Sequence, residues 1–575
     1  MKKSAIILWL VVAIPFLAAM VTPAARVDSP TNIVQQTRYR TMQAISCSPF
    51  AYVPDDYLKI PIEIKKDIGN IRFQITTSSQ EAQQFFHQGM AYLYNFEYVQ
   101  AARSFYVAQS HDSSAPMIYW GLSQAYESLN DSTESRNFAK RALGLSTLLN
   151  TRERQFIEMQ HELVQPVNDS IAVAKQRVVL SAMMDSANAR FPKDAEMWIF
   201  TGLMRAYSKA KGAPGETYAL RSRAAIDLYF SKALELDPEH FGAWHYLVHL
   251  HEATSEFDKA LQYGNRYTGA APAIPHAWHM YAHDLMKTGQ VSKAIEKFNH
   301  AFKLELEKYK AENMPAHYDW HHQHNMELLA YCHQYKGQFK KAESIFSKLD
   351  TLKAYTPEKE GRIRKGHPFF YLQNNQPAAA IRLAKPLTFS DKPGNRFMGF
   401  FITGLGNVFQ QDEENAALNH RQALHIVDSL KEAEIKMGMH PEDAEEAFSY
   451  LYAQAGIVNM GIGLLKNPYY TSLLQQMESI QSTLLKQTGP DPWIDALYFL
   501  QLLTQLSIKT GNLELAERSA NNMLKHDPAY PGAYWMLARI YKLQKKDALA
   551  GTYLAKAKAG YKEADEQFLA SLKFD

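Results

Sequence analysis

Cysteine is nearly absent. The chain of 575 residues has 2, Cys47 and Cys332, which excludes a disulfide scaffold, an iron–sulfur protein and an all-cysteine zinc site. The two are too far apart to pair by any local rule and read as free thiols. An excess of one charge is missing too. Lys+Arg of 62 against Asp+Glu of 59 leaves a formal +3, so nothing points to nucleic acid or to a basic membrane-surface protein. No glycine-rich phosphate loop follows a strand, and no nucleophile elbow occurs. Beyond residue 21 no stretch is long and apolar enough to span a bilayer. Apolar residues at 46% and charged residues at 21% are ordinary for a globular chain and exclude long disorder. The length fits three or four domains, or one long repeat array.

The chain opens Met1-Lys2-Lys3, and an apolar run follows over residues 5–21. A basic head and a short apolar core describe a secretory signal, with small residues Ala18, Ala19, Ala24 and Ala25 at the boundary. Cleavage after Ala24 makes 1–24 a signal peptide and the mature protein an exported one, periplasmic or envelope-associated in a bacterium. The alternative is an uncleaved anchor, which is the one route to a membrane. Residues 25–80 read as irregular. Alternation in Ile71-Arg72-Phe73-Gln74-Ile75 predicts a short strand over 71–76.

From Glu81 the pattern is one of helical pairs. Trp244, Leu247, Val248 and His251 fall at i, i+3, i+4 and i+7, and Ala260 follows. The spacing recurs as Trp278, Tyr281, Ala282, Leu285, a Gly289-Gln290 turn, then Ala294 and Phe298. It returns as Met326, Leu329, Ala330, His333, Gly337-Gln338, Ala342 and Phe346, and at both ends of the chain. Small residues let the helices of a pair cross closely, while aromatic and Leu positions fill the space between pairs. This pattern resembles the tetratricopeptide repeat, a 34-residue helix–turn–helix unit. The resemblance implies an all-α fold, an α-solenoid of about seven or eight stacked units in a right-handed superhelix. The expected layout is an N-terminal array over 81–350, a proline-containing break over 351–395 and a C-terminal array over 396–575. Stretches near 114–150, 195–238 and 398–430 read as degenerate units, with a loop insertion at 211–216.

Residues 68–350 also resemble one group of exported bacterial tetratricopeptide proteins. The opening Ile75 to Gly89, the Met117-Ile118-Tyr119-Trp120-Gly121 stretch and three histidine motifs carry this resemblance. The motifs are His245-Tyr246-x-x-His249-x-x-Glu252, His276-x-x-His279-Met280-x-x-His283 and His324-Asn325. Tyr281-Ala282 stands where members often have Pro-Ser. The group has no established activity, so the resemblance implies a fold and a compartment but no reaction.

Thirteen of the 21 histidines lie between His240 and His333, where an even spread would place three or four. At about 100° per residue, His245, His249 and Glu252 centre roughly 130° from the core stripe of their helix. His276, His279 and His283, then His324 and Glu327, repeat that face. In tetratricopeptide arrays the equivalent face lines the concave groove. The i, i+4 pairs His245/His249 and His279/His283 place two imidazoles about 6 Å apart at Cβ, where one ion meets both. Imidazole and carboxylate without thiolate suit Zn, Cu(II), Ni or Fe(II). The candidate metal residues are His245, His249, Glu252, His276, His279, His283 and His324, with Glu252 alone as a candidate general base. No organic cofactor is implied.

The competing reading is a groove that captures a protein or peptide partner, its histidines serving as hydrogen-bonding groups or forming a buried polar network with Trp244, Trp278 and Trp320. The chain is thus expected to be a binding scaffold with a divalent-metal site in its groove, or a metal-dependent hydrolase or oxidoreductase using the same His/Glu cluster. On the groove reading the histidines pack nothing, so their removal should leave the fold intact. His251 and His333 read as packed core, and His240, His300 and His317 as surface. His321 and His322 are second choices for the groove. The charged run 303–310 reads as a solvated helix face.

Overall fold

The computed structural model describes residues 53–146, 149–167, 170–207, 223–355, 360–436, 441–467, 472–485 and 490–574. The signal segment, Cys47 and the 211–216 insertion lie outside them. Among the described residues the secondary structure is helical throughout and no helix is long and apolar enough to cross a membrane.

Among the described residues, nine helix pairs share one turn. They are α1 (Gln80–Tyr94) with α2 (Tyr98–His111), α3 (Pro116–Ser128) with α4 (Ser132–Leu145), and α5 (Phe241–Ala253) with α6 (Phe257–Ala270). Next come α7 (Pro275–Lys287) with α8 (Val291–Glu312), α9 (Trp320–Tyr335) with α10 (Phe339–Thr351), and α11 (Gly366–Gln373) with α12 (Pro377–Ala384). The last are α13 (Pro393–Gln410) with α14 (Glu413–Lys436), α15 (Pro490–Lys509) with α16 (Leu513–His526), and α17 (Pro531–Leu543) with α18 (Asp547–Gly560). Each turn places one residue in the left-handed region: Phe96, Asn130, Ser255, Gly289, Gly337, Asn375, Gln411, Gly511 or Lys545. The next N–H reaches back five residues from Glu256 to His251 O (2.9 Å), from Gln338 to His333 O (2.9 Å) and likewise in the turns at Phe96, Asn130, Gly289, Asn375, Gln411 and Lys545. This bond closes the helix end by satisfying a carbonyl that has no helical partner.

Five residues after each left-handed position stands a small, fully buried side chain. It is Ser135 in one pair and Ala101, Ala260, Ala294, Ala342, Ala380, Ala416, Ala516 or Ala550 in the others, all at 0% exposure. The crossing of the two helices leaves no room for more. Phe105 shows the complementary half of the device. Its ring fills the space beside both Gly89 and Gly121, where an added Cβ would lie 2.5 and 2.6 Å from it.

Three expectations need correction. The strand over 71–76 does not form, and no β-ladder exists among the described residues. Residues 71–75 run extended and bury alternate side chains, Phe73 against Phe86 and Phe156 at 5.5 and 5.0 Å between ring centres. Alternation reported burial of one face, which a helix surface supplies as well as a sheet. The 351–395 break contains a shortened repeat pair, α11 and α12. Pro368 and Pro377 sit in first turns, where the missing N–H has no helical partner to lose. The charged run 303–310 is only partly solvated. Lys303 and Glu307 are exposed, but Glu305 is buried on His322 Nδ1 (2.8 Å), and Lys308 Nζ lies between Glu97 (2.6 Å) and Asp319 (2.7 Å).

The C-terminal array closes against the N-terminal one. Tyr498 OH donates to Tyr331 O (2.9 Å) and Tyr335 OH to Asp527 Oδ2 (2.7 Å). Lys365 pairs with Asp495 at a seam buried on both sides. A single apolar cluster runs from Ala282 and Leu285 through Tyr331 to Tyr498 and Tyr541.

Candidate metal centre

The histidine-bearing helices are almost wholly enclosed, and in α7 only Trp278 and Tyr281 are partly exposed. All of α5 and all of α9 are buried, whereas α6 buries four of its residues, Ala260, Gly264, Tyr267 and Thr268. His245, His276, His279 and His283 have 0% exposure, His249 2%, Glu252 6% and His324 9%. The expectation of an open groove face is therefore corrected. The turn of the first pair, Phe96 of α1–α2, and helices from both arrays fill the space that a groove would leave.

The imidazoles meet in two groups of three. In the first, His245 Nε2 lies 3.0 Å from His249 Nε2 and 3.0 Å from His276 Nε2. His245 Nδ1–H donates to Tyr94 O (2.6 Å). A carbonyl only accepts, so Nδ1 carries the proton and the neutral ring offers a lone pair at Nε2. In the second group, His279 Nε2 and His283 Nε2 are 2.8 Å apart, and the His324 ring centre is 4.9 Å from that of His279. His279 Nδ1–H donates to Asn325 Oδ1 (3.0 Å), and Asn325 Nδ2 donates to Phe298 O (3.1 Å), which fixes the amide orientation. His283 Nδ1 lies 3.3 Å from Glu252 Oε1, and His324 Nδ1 lies 3.4 Å from Asp491 Oδ1. Within each group the ligand atoms lie within 4.8 Å of one another.

Electrostatics keep five of these rings, His245, His249, His276, His279 and His324, neutral. Burial lowers His245, His276 and His279 well below the ordinary imidazole range, and neighbouring imidazoles lower them further. Burial brings His249 and His324 down to about 3, although Glu252 and Asp491 oppose it. Burial alone would raise Glu252, but Lys287 at 3.2 Å and His283 hold its carboxylate down to about 2. Neutral imidazole is the form that binds a metal.

Glu252 thus stands behind His283 and against Lys287, not among the converging nitrogens. Its candidacy as a ligand gives way to that of a partner orienting a ligand. An ionised carboxylate held by a lysine and an imidazole also has little freedom as a general base. His240, expected at the surface, is buried with Nε2 3.3 Å from Glu196 Oε1. Burial lowers its pKa, but Glu196 outweighs that and leaves it raised. His300 is exposed, as expected. His251 and His333 are buried and bond the first residue after their turns, Glu256 (2.9 Å) and Gln338 (2.6 Å). His321 lies close to the centre, its ring 4.4 Å from His276, while Nδ1 faces Asp319 (3.0 Å).

Sequence reasoning missed the residues that come from far away in the chain. Tyr94, Phe96 and Glu97 arrive from the first turn, Arg362 from the 351–395 segment, and Asp491 and Asp495 from the C-terminal array. Phe96 carried one signal, an aromatic at the position where other units have Gly, Asn, Ser, Gln or Lys. Its φ is +60°, a conformation costly for a bulky residue. Its ring centre sits 4.5 Å from His245 and 5.4 Å from both His249 and His276.

Residues 217–274 match the tetratricopeptide repeat family model. That stretch covers the first histidine-bearing pair, and the shared turn extends the same architecture along the chain. No curated protein matches the chain. Among solved structures, a monomeric mutant of IFIT1 with Gppp-AAAA aligns at 11% identity and a TM-score of 0.32, covering 93% of this chain and 96% of that one. The human IFIT1 dimer with m7Gppp-AAAA aligns at 13% and 0.31, covering 77% and 90%. The APC/C hetero-tetramer Cut9–Hcn1 aligns at 14% and 0.25, covering 86% and 96%. The RNA and the subunits named there belong to those proteins.

Proposed function

We propose that the protein is an exported metalloprotein whose tetratricopeptide scaffold encloses a histidine-ligated divalent-metal centre. The observation that carries this reading is the mutual approach of Nε2 atoms at 2.8 to 3.0 Å. At least His245 and His279 present lone pairs there, because their Nδ1 protons are committed to Tyr94 O and Asn325 Oδ1. Lone pairs that face one another repel unless a proton or a cation lies between them. Four-coordinate zinc with Zn–N of about 2.0–2.1 Å holds its nitrogens about 3.3 Å apart, close to the spacing seen. Elemental analysis of the mature protein after gel filtration tests this. Zn, Cu, Ni or Fe in stoichiometric amount is expected, and absence of binding at micromolar metal overturns it. Mass spectrometry of the exported form tests the compartment. A start near Ala25 is expected, while an intact Met1 in the membrane pellet means an anchor.

A metal-assisted reaction is the second reading, and one observation favours it over storage. A narrow cleft lined by Trp320, His324, Glu327, Tyr355, Arg362 and Ile363 reaches the second histidine group. Glu327 in its wall is raised by burial to about 8 despite Lys365, so it holds a proton at neutral pH. A metal with an acid beside an open approach is suited to polarising and protonating a small ligand. Peptide capture by the histidine face finds less support, because the chain itself fills that face. A partner would use other surfaces of the scaffold.

A further inference from the structure

We infer that the centre holds two metal ions, one per histidine group, and that the boundary between them runs through the second motif. This rests on the metal reading above. His276 serves the first ion with His245 and His249. His279 and His283 serve the second with His324.

The repeat frame carries the argument. Counting back from the left-handed turn residue, His245 and His249 stand ten and six positions before Ser255. His279 and His283 stand ten and six positions before Gly289. The third member comes from the following pair each time. His276 is thirteen positions before Gly289, and His324 is thirteen before Gly337. The two groups are therefore one constellation built twice, displaced by one repeat. Units that stack by a constant rotation and translation place equivalent side chains equivalently. A site at one step implies a like site at the next.

The series ends for a chemical reason. The third step puts Glu327 and Tyr331 at the ten and six positions before Gly337, and Arg362 thirteen before Asn375. There the cation is a side chain. Arg362 pairs with Asp491, and Lys365 with Asp495. The other acid-containing cluster, Glu97, Asp319 and His321, is likewise filled by Lys308 Nζ. Only the two three-histidine groups lack an internal cation among the described residues.

Ring placement separates the two positions. His276 and His279, neighbours on α7, lie 6.0 Å apart at 24° between planes, stacked rather than edge to edge. The His276 nitrogen points instead to His245. The surroundings also differ. The first group is backed by the neutral Tyr94 carbonyl and covered by Phe96, while Glu252 and Asp491 back the second. A carboxylate behind an imidazole raises its basicity and fixes its tautomer, typically strengthening metal binding 10–100-fold. The second position is thus the tighter.

Titration of the metal-free, full-length protein with Zn(II) alone, read by calorimetry, tests this. Two ions per chain are expected, in two classes of affinity. His249→Gln should leave only the tighter class, and His283→Gln only the weaker. Glu252→Gln should keep both ions and weaken the tighter class alone by 10–100-fold, with partial recovery in Glu252→Asp. Loading with Cu(II) gives a readout that needs no variant, since two neighbouring ions perturb each other's electron paramagnetic resonance signal. One ion per chain, an unperturbed Cu(II) signal, or one folded variant that loses all metal overturns the two-ion arrangement and leaves the metal reading standing. No ion in any preparation overturns both.

Discussion

The helices α7 and α17 are built on the same frame and bury different chemistry. Each opens with a proline, ends in a left-handed turn residue, Gly289 or Lys545, and packs against a fully buried alanine five residues on. At the thirteen, ten and six positions α7 carries His276, His279 and His283, all at 0% exposure. The same positions of α17 carry Gly532, Trp535 and Arg539, and the Arg539 guanidinium lies 6.0 Å over the half-buried Trp535 ring. The frame is thus indifferent to what the face holds. It fixes where a side chain goes, and the rest of the chain decides whether that place is wet. Polar groups buried without partners cost free energy, so the histidine region is held by something that α17 does not need. The hydrogen bonds behind the rings supply part of it, and the proposed ions the remainder.

Acid should break the comparison most. In the metal-free protein His245, His249, His276, His279 and His324 have folded pKa values below the unfolded imidazole value, so the unfolded chain takes up protons first. Stability from these groups is full above about pH 6.5 and falls as the pH drops toward the folded values. By pH 5 the loss is on the order of 2 kcal/mol per imidazole. Among the described residues of the C-terminal array, burial lowers His526 to about 4 and also lowers the half-buried His420. Hydrogen exchange of the metal-free protein at pH 7 and pH 5 should therefore show α5, α7 and α9 losing protection before α15 to α18. Equal loss in both regions would contradict the account.

Metal should reverse that order. A ligand at a thousand times its dissociation constant stabilises the folded state by about 4 kcal/mol, and only the histidine region makes contact with it. His276→Leu sharpens this test. His276 Nδ1 is buried without a hydrogen-bond partner, so an apolar side chain of similar size leaves no orphaned group there. The variant should match or exceed the parent in stability when metal-free and fall below it when metal is present. Thermal melts with and without chelator measure both. A variant that is less stable under both conditions would mean that His276 is structural.

How much of this was legible in the sequence follows from the same contrast. Periodicity is local, so it located the pairs, the small residues at Ala260 and Ala294, and the phase of the histidine stripe. It could not find Tyr94 behind His245, which is 151 residues away in the chain, or Asp491 behind His324. It also could not tell a wet groove from a buried one, because that depends on the C-terminal array folding back over the face. Asn325 was visible in its motif, but its task of accepting from His279 Nδ1 appears only when α7 and α9 stack. The proline-rich stretch misled for a simpler reason. Pro377 and Pro393 mark helix starts as readily as helix breaks.

Where only the frame is touched, the two regions should respond alike. Ala294→Leu beside α7 and Ala550→Leu beside α17 both overpack a closed crossing, at about 1–3 kcal/mol each. Urea midpoints should fall by similar amounts. A much larger loss at Ala294 would mean that the histidine region is more tightly packed than its twin.

The smallest expected effect carries the sharpest sign. Phe96 and Lys545 occupy the same turn position with φ of +60° each. A left-handed residue with a Cβ is strained by about 1–2 kcal/mol, which glycine relieves at some cost in chain entropy. Lys545 is exposed and its exchange for glycine loses no packing, so Lys545→Gly should stabilise by about 0.5–1 kcal/mol. Phe96 is 3% exposed with its ring among His245, His249 and His276. Deleting a buried Phe side chain costs about 3–5 kcal/mol, more than the strain returns. Phe96→Gly should therefore destabilise, although it relieves the same backbone. A stabilising result at Phe96 would mean that the ring contributes nothing to the cover over the first histidine group, and that the strain at this turn is unrelated to the site beneath it.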